Sequence, residues 1–149
     1  MIPKFRVWDK DEKIMIDWID LDMSKDGGED DFIVFEPTGP VKSAITNPIL
    51  MQSTALKDKN GIEIYEGDII EFEDETYQNE AMVGIINRAQ VIIDNIQGVF
   101  LKNFMVRDSV TYGDYTNYYD FPTHEKSLFF KQCRVVGNVF EDESLLEDE

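Results

Sequence analysis

The predicted fold depends on a turn and a strand that lie within one stretch, Asp58-Lys59-Asn60-Gly61-Ile62-Glu63-Ile64-Tyr65-Glu66-Gly67-Asp68-Ile69-Ile70-Glu71-Phe72-Glu73. The Asn-Gly pair near its start tolerates the positive φ that tight hairpin turns require, so residues 58–61 are predicted to reverse the chain. Residues 67–73 then form a strand-like run, with Ile70 and Phe72 on one face. The stretch therefore predicts a turn that leads into a core strand.

Four further β-rich runs follow this strand, over residues 81–87, 90–94, 99–104 and 134–140. Short strands separated by turn residues are typical of small, strongly bent barrels, and this spacing favours the SH3 type. Three glycines in or beside these runs are predicted to mark bends or bulges: Gly84, Gly98 and Gly137.

The N-terminal part is also strand-like. Residues 4–8 and 13–20 alternate in polarity around a polar link, which predicts a hairpin. Residues 24–31 are predicted to form an exposed loop, and residues 32–35 a short strand. Three prolines and a glycine within residues 36–48 predict a boundary, because proline cannot donate to a sheet ladder or continue a helix.

These patterns predict a mainly β chain, α+β at most, in two parts. Residues 1–48 form an N-terminal β-rich subdomain with a long connection, and residues 49–149 form an SH3-like barrel with an acidic tail. Only residues 123–132 offer a short helical candidate.

The chain of 149 residues has a formal net charge of −17, from 31 acidic and 14 basic side chains. This charge argues against direct binding of nucleic-acid backbones or of an anionic membrane surface. The acidic residues concentrate in residues 17–36, 63–80 and 141–149. They suggest either a solvated surface or a mimic of DNA that inhibits a nucleic-acid enzyme of the host.

Targeting and redox signals point to the cytoplasm. The single cysteine excludes a disulfide within the chain, as suits a reducing compartment. No apolar run resembles a signal peptide or a membrane span, so we expect a cytoplasmic protein with no membrane association.

Motifs for catalysis, metals or cofactors are weak. Cys133 and His124 are each unique, but nine residues separate them and no nucleophile motif surrounds either. The turn at residues 58–61 places its glycine two positions too early for an EF-hand loop. We therefore predict no enzymatic activity, no metal and no cofactor.

Residues 111–122 have the most unusual local composition, with four tyrosines and a phenylalanine. Tyrosine combines a large stacking area with a polar tip, which suits binding surfaces. The candidate interaction surface therefore consists of Tyr112, Tyr115, Tyr118, Tyr119 and Phe121. Its occupant would be a protein partner or a second copy of the chain. Two alternatives are rings that pack on the barrel and rings that stack a small ligand or base.

A nucleic-acid-binding module is a third hypothesis for the whole chain, by analogy with other SH3-like barrels. It requires a local basic patch despite the acidic composition. The candidate residues for such a patch are Arg88, Lys102, Arg107 and Arg134.

Residues 51–70 resemble the central motif of the YopX family of phage and prophage proteins from low-GC Gram-positive bacteria. Residues 4–9 with 13–15, and 136–141 with 145–146, resemble the two ends of that family. The chain departs from the family pattern at Ala55, where glycine is common, and at Ile62. Ala55 suggests that the backbone at this position does not need a positive φ.

The resemblance implies an N-terminal β-rich or α+β part that leads into an SH3-like barrel. It implies no activity and no catalytic residues. Four motif residues are assigned as determinants of the fold: Asp58, Gly61, Gly67 and Asp68. The expected function is that of a non-enzymatic phage or prophage accessory protein that acts through protein contacts in the bacterial host.

Overall fold

The computed structural model describes residues 4–20, 22–25, 32–35, 48–94, 98–110, 118–119 and 128–147. Within them the chain is nearly all β, which confirms the predicted class. The strands are β1 (Phe5–Asp9), β2 (Ile14–Ile16), β3 (Asp22–Lys25), β4 (Phe32–Phe35), β5 (Pro48–Lys57), β6 (Glu63–Tyr65), β7 (Asp68–Gln78), β8 (Ala81–Asp94), β9 (Gly98–Lys102), β10 (Tyr118–Tyr119) and β11 (Arg134–Asn138). Two 3-10 turns cover Trp18–Asp20 and Glu143–Leu146.

The chain divides into two compact units, Met1–Ser53 and Thr54–Glu149. The predicted boundary after residue 48 stays a prediction, because the proposed connection at residues 36–47 lies outside the described part. Residues 128–130 are helical, and the rest of the helical candidate up to residue 127 also lies outside it. None of the described helical segments is long and apolar enough to cross a membrane.

In the first unit, β1 pairs with β2 in the predicted hairpin and with residues 48–52 of β5. The Asp9 carboxylate closes the hairpin turn by accepting from the main-chain N–H groups of Asp11 at 3.0 Å and Glu12 at 3.3 Å. β3 pairs antiparallel with β4. The exposed loop predicted over residues 24–31 is wrong at Ser24 and Lys25, which belong to β3, and residues 26–31 lie outside the described part.

In the second unit, five strands form an antiparallel sheet in the order β10-β9-β8-β7-β11, curled into a half-barrel. Its buried core consists of Ile64, Ile70, Phe72, Ala89, Val91, Leu101, Phe104, Phe130 and Cys133. The Phe72 ring lies edge-on to Phe104 and Phe129, with centroids 6.2 and 5.4 Å apart. Such edge-to-face pairs add to the stabilisation from burial.

The two runs predicted at residues 81–87 and 90–94 are one strand, β8, because Arg88 and Ala89 continue the ladder with β7. Of the three predicted bends, Gly137 lies at a register shift between β11 and β7. Gly98 has a φ of 76° at the start of β9. Gly84 lies in regular pairing with Glu75, so the bend predicted there is wrong.

The turn predicted at residues 58–61 is present and is built around the buried side chain of Asp58. Its Oδ1 accepts from the N–H groups of Asn60 and Ile62, both at 2.9 Å. Its Oδ2 accepts from the N–H of Val135 in β11, at 3.0 Å. One carboxylate therefore orders the turn and attaches it to the edge of the sheet.

A second buried carboxylate orders the entry to β7. Asp68 Oδ2 accepts from the N–H of Tyr65 at 2.7 Å. Gly67, which has a φ of 87°, donates to the carbonyl of Val91 and accepts from the N–H of Val139. These contacts agree with the assignment of Asp58, Gly67 and Asp68 as determinants of the fold.

Ala55 has a φ of 61°, so the expectation of an ordinary backbone at this position is wrong. A left-handed conformation brings Cβ close to the following carbonyl oxygen and costs about 1–2 kcal/mol in an L-residue. The glycine that is common at this position in the YopX family would avoid that cost. Alanine here therefore retains backbone strain.

We predict that Ala55→Gly raises the free energy of unfolding by about 0.5–1 kcal/mol, since the relief of strain exceeds the added entropy of the unfolded chain. The matched change is Gly61→Ala, because Gly61 has a φ of 78° and open space around an added Cβ. It should lower stability by about 1 kcal/mol. Urea unfolding measures both, and shifts in the same direction would contradict the assigned conformations.

We predict that Asp58→Ala lowers the free energy of unfolding by about 2–4 kcal/mol, because it leaves three main-chain donors without their acceptor. The control is Lys59→Ala, which removes an exposed neighbouring side chain and should change stability by less than about 0.5 kcal/mol. Equal effects of the two changes in thermal or urea unfolding would show that the carboxylate does not organise the turn.

Candidate interaction surface

The predicted aromatic surface falls largely outside the described part of the chain. Tyr112, Tyr115 and Phe121 belong to residues 111–117 and 120–127, of which nothing is described. The main chain of Tyr118 and Tyr119 forms β10, which pairs with Lys102 and Leu101 of β9. The interaction role of this loop therefore stays a prediction.

Another surface in the second unit exposes apolar side chains, and we call it the outer face of the β7–β8 hairpin. Side chains alternate between the two faces of a sheet, so every second cross-strand pair of β7 and β8 lies on this outer face. The pairs are Glu71–Arg88, Glu73–Ile86, Glu75–Gly84 and Tyr77–Met82. Along β7 the intervening residues, Phe72, Asp74 and Thr76, are buried on the opposite, inner face.

The apolar members of the outer face are strongly exposed. Tyr77 retains 66 %, Ile86 49 % and Met82 47 % of its accessible surface. Single exposed apolar residues are common on protein surfaces, but three on one small sheet face are less so. Clustered exposed apolar side chains of this kind are typical of contact sites.

Residues 103–110 pack on the inner face of the hairpin beside Asn87 and Thr76. Asn87, fully buried, donates through Nδ2 to Asp74 and to the Val106 carbonyl, and accepts through Oδ1 from the Val106 N–H. Thr76 donates to the Asp108 carbonyl at 3.0 Å. The core therefore lies on the inner side, and burial within this unit does not require Tyr77, Met82 and Ile86.

Charges divide the outer face into two parts. Glu71 lies between Arg88, at 3.1 Å, and Arg134, so two of the four residues proposed for a basic patch share one carboxylate. Glu73 and Glu75 are exposed, and neither side chain has an ion pair within the described residues. The apolar side chains therefore adjoin two carboxylates that no described cation pairs with.

The acidic segment at residues 63–80 is only partly available to a partner. Asp68 and Asp74 are buried, and Glu71 forms its two ion pairs. In the acidic tail, Asp142 accepts from the Asn138 N–H at 3.3 Å and Glu141 from the Asn138 amide at 3.2 Å. Several carboxylates therefore stabilise the fold, which weakens the resemblance to a regular phosphate array.

A pocket of about 150 Å³ opens beside the outer face and is lined by Lys59, Glu71, Phe72, Glu73, Ile86, Phe129, Gln132, Cys133 and Arg134. Burial, followed by the nearby Asp58 carboxylate, raises the pKa of the Cys133 thiol to about 12. Its Sγ donates to the Phe129 carbonyl at 3.2 Å. A thiol so protected from ionisation is a poor nucleophile.

Other chemistry finds little support in the described residues. His124, the other residue weighed with Cys133 for nucleophilic catalysis, lies outside them. Within them, no group of three or more His, Cys, Asp or Glu side chains could hold a metal ion.

The sequence did not predict the outer face, because apolar residues in a strand such as β8 are also typical of a buried core. Residues 81–87, Ala81-Met82-Val83-Gly84-Ile85-Ile86-Asn87, carry no charge and give no sign of which face is covered. The available signal was Gly84, an interior strand glycine, which marks either a bend or a close approach by another molecule.

Comparison with known proteins gives a family and a fold. A family model described as YopX protein matches residues 4–147. The crystal structure of protein EF1440 from Enterococcus faecalis is similar over 99 % of both chains, with a TM-score of 0.53 and 23 % identity. No curated protein matches the chain. At this identity the structural likeness concerns the fold alone.

We predict that Cys133 reacts with a thiol-specific disulfide reagent at least about 100-fold more slowly in the folded chain than in denaturant at pH 8. The reason is that only the thiolate attacks, and burial suppresses it. The native rate should rise as the pH increases from 8 to 10, because the thiolate fraction grows toward the raised pKa. Equal native and denatured rates at pH 8 would contradict the protected thiol.

Proposed function

The chain belongs to the YopX family, and on that premise we propose that it is a non-enzymatic phage or prophage accessory protein that acts by binding another protein. The outer face of the β7–β8 hairpin is the proposed contact surface. The observation that supports this most is the exposure of Tyr77, Met82 and Ile86 on a face that the core does not use. The host cytoplasm is the compartment in which we expect the contact.

The chemistry of the surface indicates the kind of partner. Aromatic and methionine side chains are enriched at the centres of protein interfaces, where their large areas leave water. Glu73 and Glu75 at the side of this patch favour a partner with cationic groups around an apolar centre. A partner of this kind would also be attracted by the net charge of −17.

Two alternatives have less support. Inhibition by DNA mimicry would need a row of free carboxylates, whereas Asp68, Glu71 and Asp74 have partners within the fold. Direct nucleic-acid binding would need the basic patch, whereas Arg88 and Arg134 share Glu71. The exposed apolar side chains of the outer face support protein binding better than either alternative.

We predict that replacing Tyr77, Met82 and Ile86 together by serine abolishes capture of the partner while the fold is retained. The measurement is affinity purification from host lysate with partners identified by mass spectrometry, together with light scattering for self-association. The matched control is Ile62→Ser, since Ile62 is as exposed as Ile86, at 49 %, but lies outside the hairpin.

Proteins captured by the wild type and by the Ile62 variant, but lost in the triple variant, would support the proposal. Equal capture by all three, with unchanged circular dichroism, would place the contact elsewhere. If the wild-type chain is monomeric and captures no partner, the proposal of a protein-binding function loses its basis.

A further inference from the structure

Gly84 is a residue that the fold itself does not explain. It lies in the interior of β8, its φ is not positive, and its pairing with Glu75 is regular. An added Cβ would have no atom of the described residues within 4 Å. An interior glycine costs a strand about 0.5–1 kcal/mol relative to alanine. The remaining use of such a glycine is close approach by another backbone or by a ligand.

The main chain beside Gly84 has an open edge. The Arg88 carbonyl accepts from the Met105 N–H at 2.8 Å and so points away from β7. Alternate residues of an antiparallel strand direct their main-chain groups to the same side. Those of Ile86, Gly84 and Met82 therefore point away from β7 as well.

This edge has no strand partner in the part of the chain that the structure describes. The pairing of β9 with β8 runs only from Asp94 to Gln90. Unpaired strand edges are templates for another strand, and main-chain hydrogen bonds then supply affinity. The open edge and the outer face meet at Gly84.

We propose that residues 82–86 of β8 bind an extended segment of the partner protein by strand addition, with a lysine or arginine of that segment opposite Gly84. Apolar residues two positions to either side of the cation would contact Met82 and Ile86. The inference rests on the proposed function and specifies its partner and its mode.

Charge complementarity identifies the cation. Adjacent strands lie about 4.8 Å apart, so an added strand would lie about 10 Å from β7. A lysine side chain and a glutamate side chain together span that distance, provided that no side chain of the intervening strand lies between them. Glycine at position 84 leaves this path open toward Glu75, whose carboxylate has no ion pair in the described residues. A larger side chain at position 84 would close it.

A second copy of the chain is a poorer occupant of the same edge. Residues 81–87 contain no lysine or arginine, so self-pairing about Gly84 would bring no cation to Glu75. It would also bring together two chains with a net charge of −17 each. Electrostatic repulsion therefore favours a cationic segment of a different protein.

Amide hydrogen exchange of the full chain, followed by NMR, tests the proposal directly. The probe is a synthetic peptide, acetyl-Thr-Val-Thr-Lys-Thr-Val-Thr-amide, and its control carries Glu in place of Lys. In the free chain the amides of Val83 and Ile85 should be protected by β7, while those of Gly84 and Ile86 exchange freely. The lysine peptide should slow Gly84 and Ile86 at least tenfold, and the glutamate peptide should not.

Three results would overturn strand addition. One is protection of Gly84 and Ile86 in the free chain, which would mean that another part of the chain covers the edge. Another is protection that grows with protein concentration alone, which would identify a second copy as the occupant. The last is a failure of the lysine peptide to change either amide.

Two substitutions distinguish strand addition from binding by the side chains of the outer face alone. Gly84→Val fills open space, so Val83 and Ile85 should keep their protection while affinity for the lysine peptide falls at least tenfold. Glu75→Gln should lower that affinity about tenfold and weaken its salt dependence. Unchanged affinity in both variants would reject the proposed path of the cation.

The outcome is distinguishable from a failure of the proposed function. One outcome is that the triple serine variant loses the captured partner while Gly84 and Ile86 of the wild-type chain stay unprotected in the complex with that partner. The outer face would then bind by side chains alone. Strand addition would then be wrong, while protein binding through the hairpin would stand.

Discussion

The carboxylate of Asp58 is the constraint on which the second unit most depends. Three main-chain donors converge on it, two from its own turn and one from β11. Lys59 adds a further link, since its N–H donates to the Cys133 carbonyl at 2.9 Å. The turn, the buried cysteine and the edge strand are thereby fixed to one another. The position of β11 at the edge of the half-barrel is thereby tied to the turn at residues 58–61.

Local chemistry explains what could be predicted from the sequence. The turn at residues 58–61 depends on neighbouring residues that tolerate unusual backbone angles, and alternation identifies β7 and the first hairpin. Long-range partners could not be predicted, because Asp58 and Val135 are 77 residues apart and Glu71 and Arg134 are 63 apart. The strain at Ala55 could not be predicted either, since alanine by itself gives no sign of a positive φ.

The candidate site shows the same limit. Apolar character predicts that Met82 and Ile86 lie in a strand, but only the placement of residues 103–110 decides which face is covered. What the net charge of −17 implies similarly depends on where the acidic side chains lie in the fold. Asp58, Asp68 and Asp74 act as acceptors for the chain's own donors, while Glu73 and Glu75 remain at the surface. Acidic composition thus combines structural carboxylates with a smaller number that face outward.

The separation of Asp58 from Val135 also bears on how the chain folds during synthesis. The turn is translated early, but its third donor emerges from the ribosome 77 residues later. At about 5–20 residues per second this delay is roughly 4–15 s. During that interval the edge of β7 is uncovered, and Asp58 Oδ2 lacks the N–H donor of Val135. The nascent hairpin is therefore a stage at which chaperones, or premature strand pairing, can act on this protein.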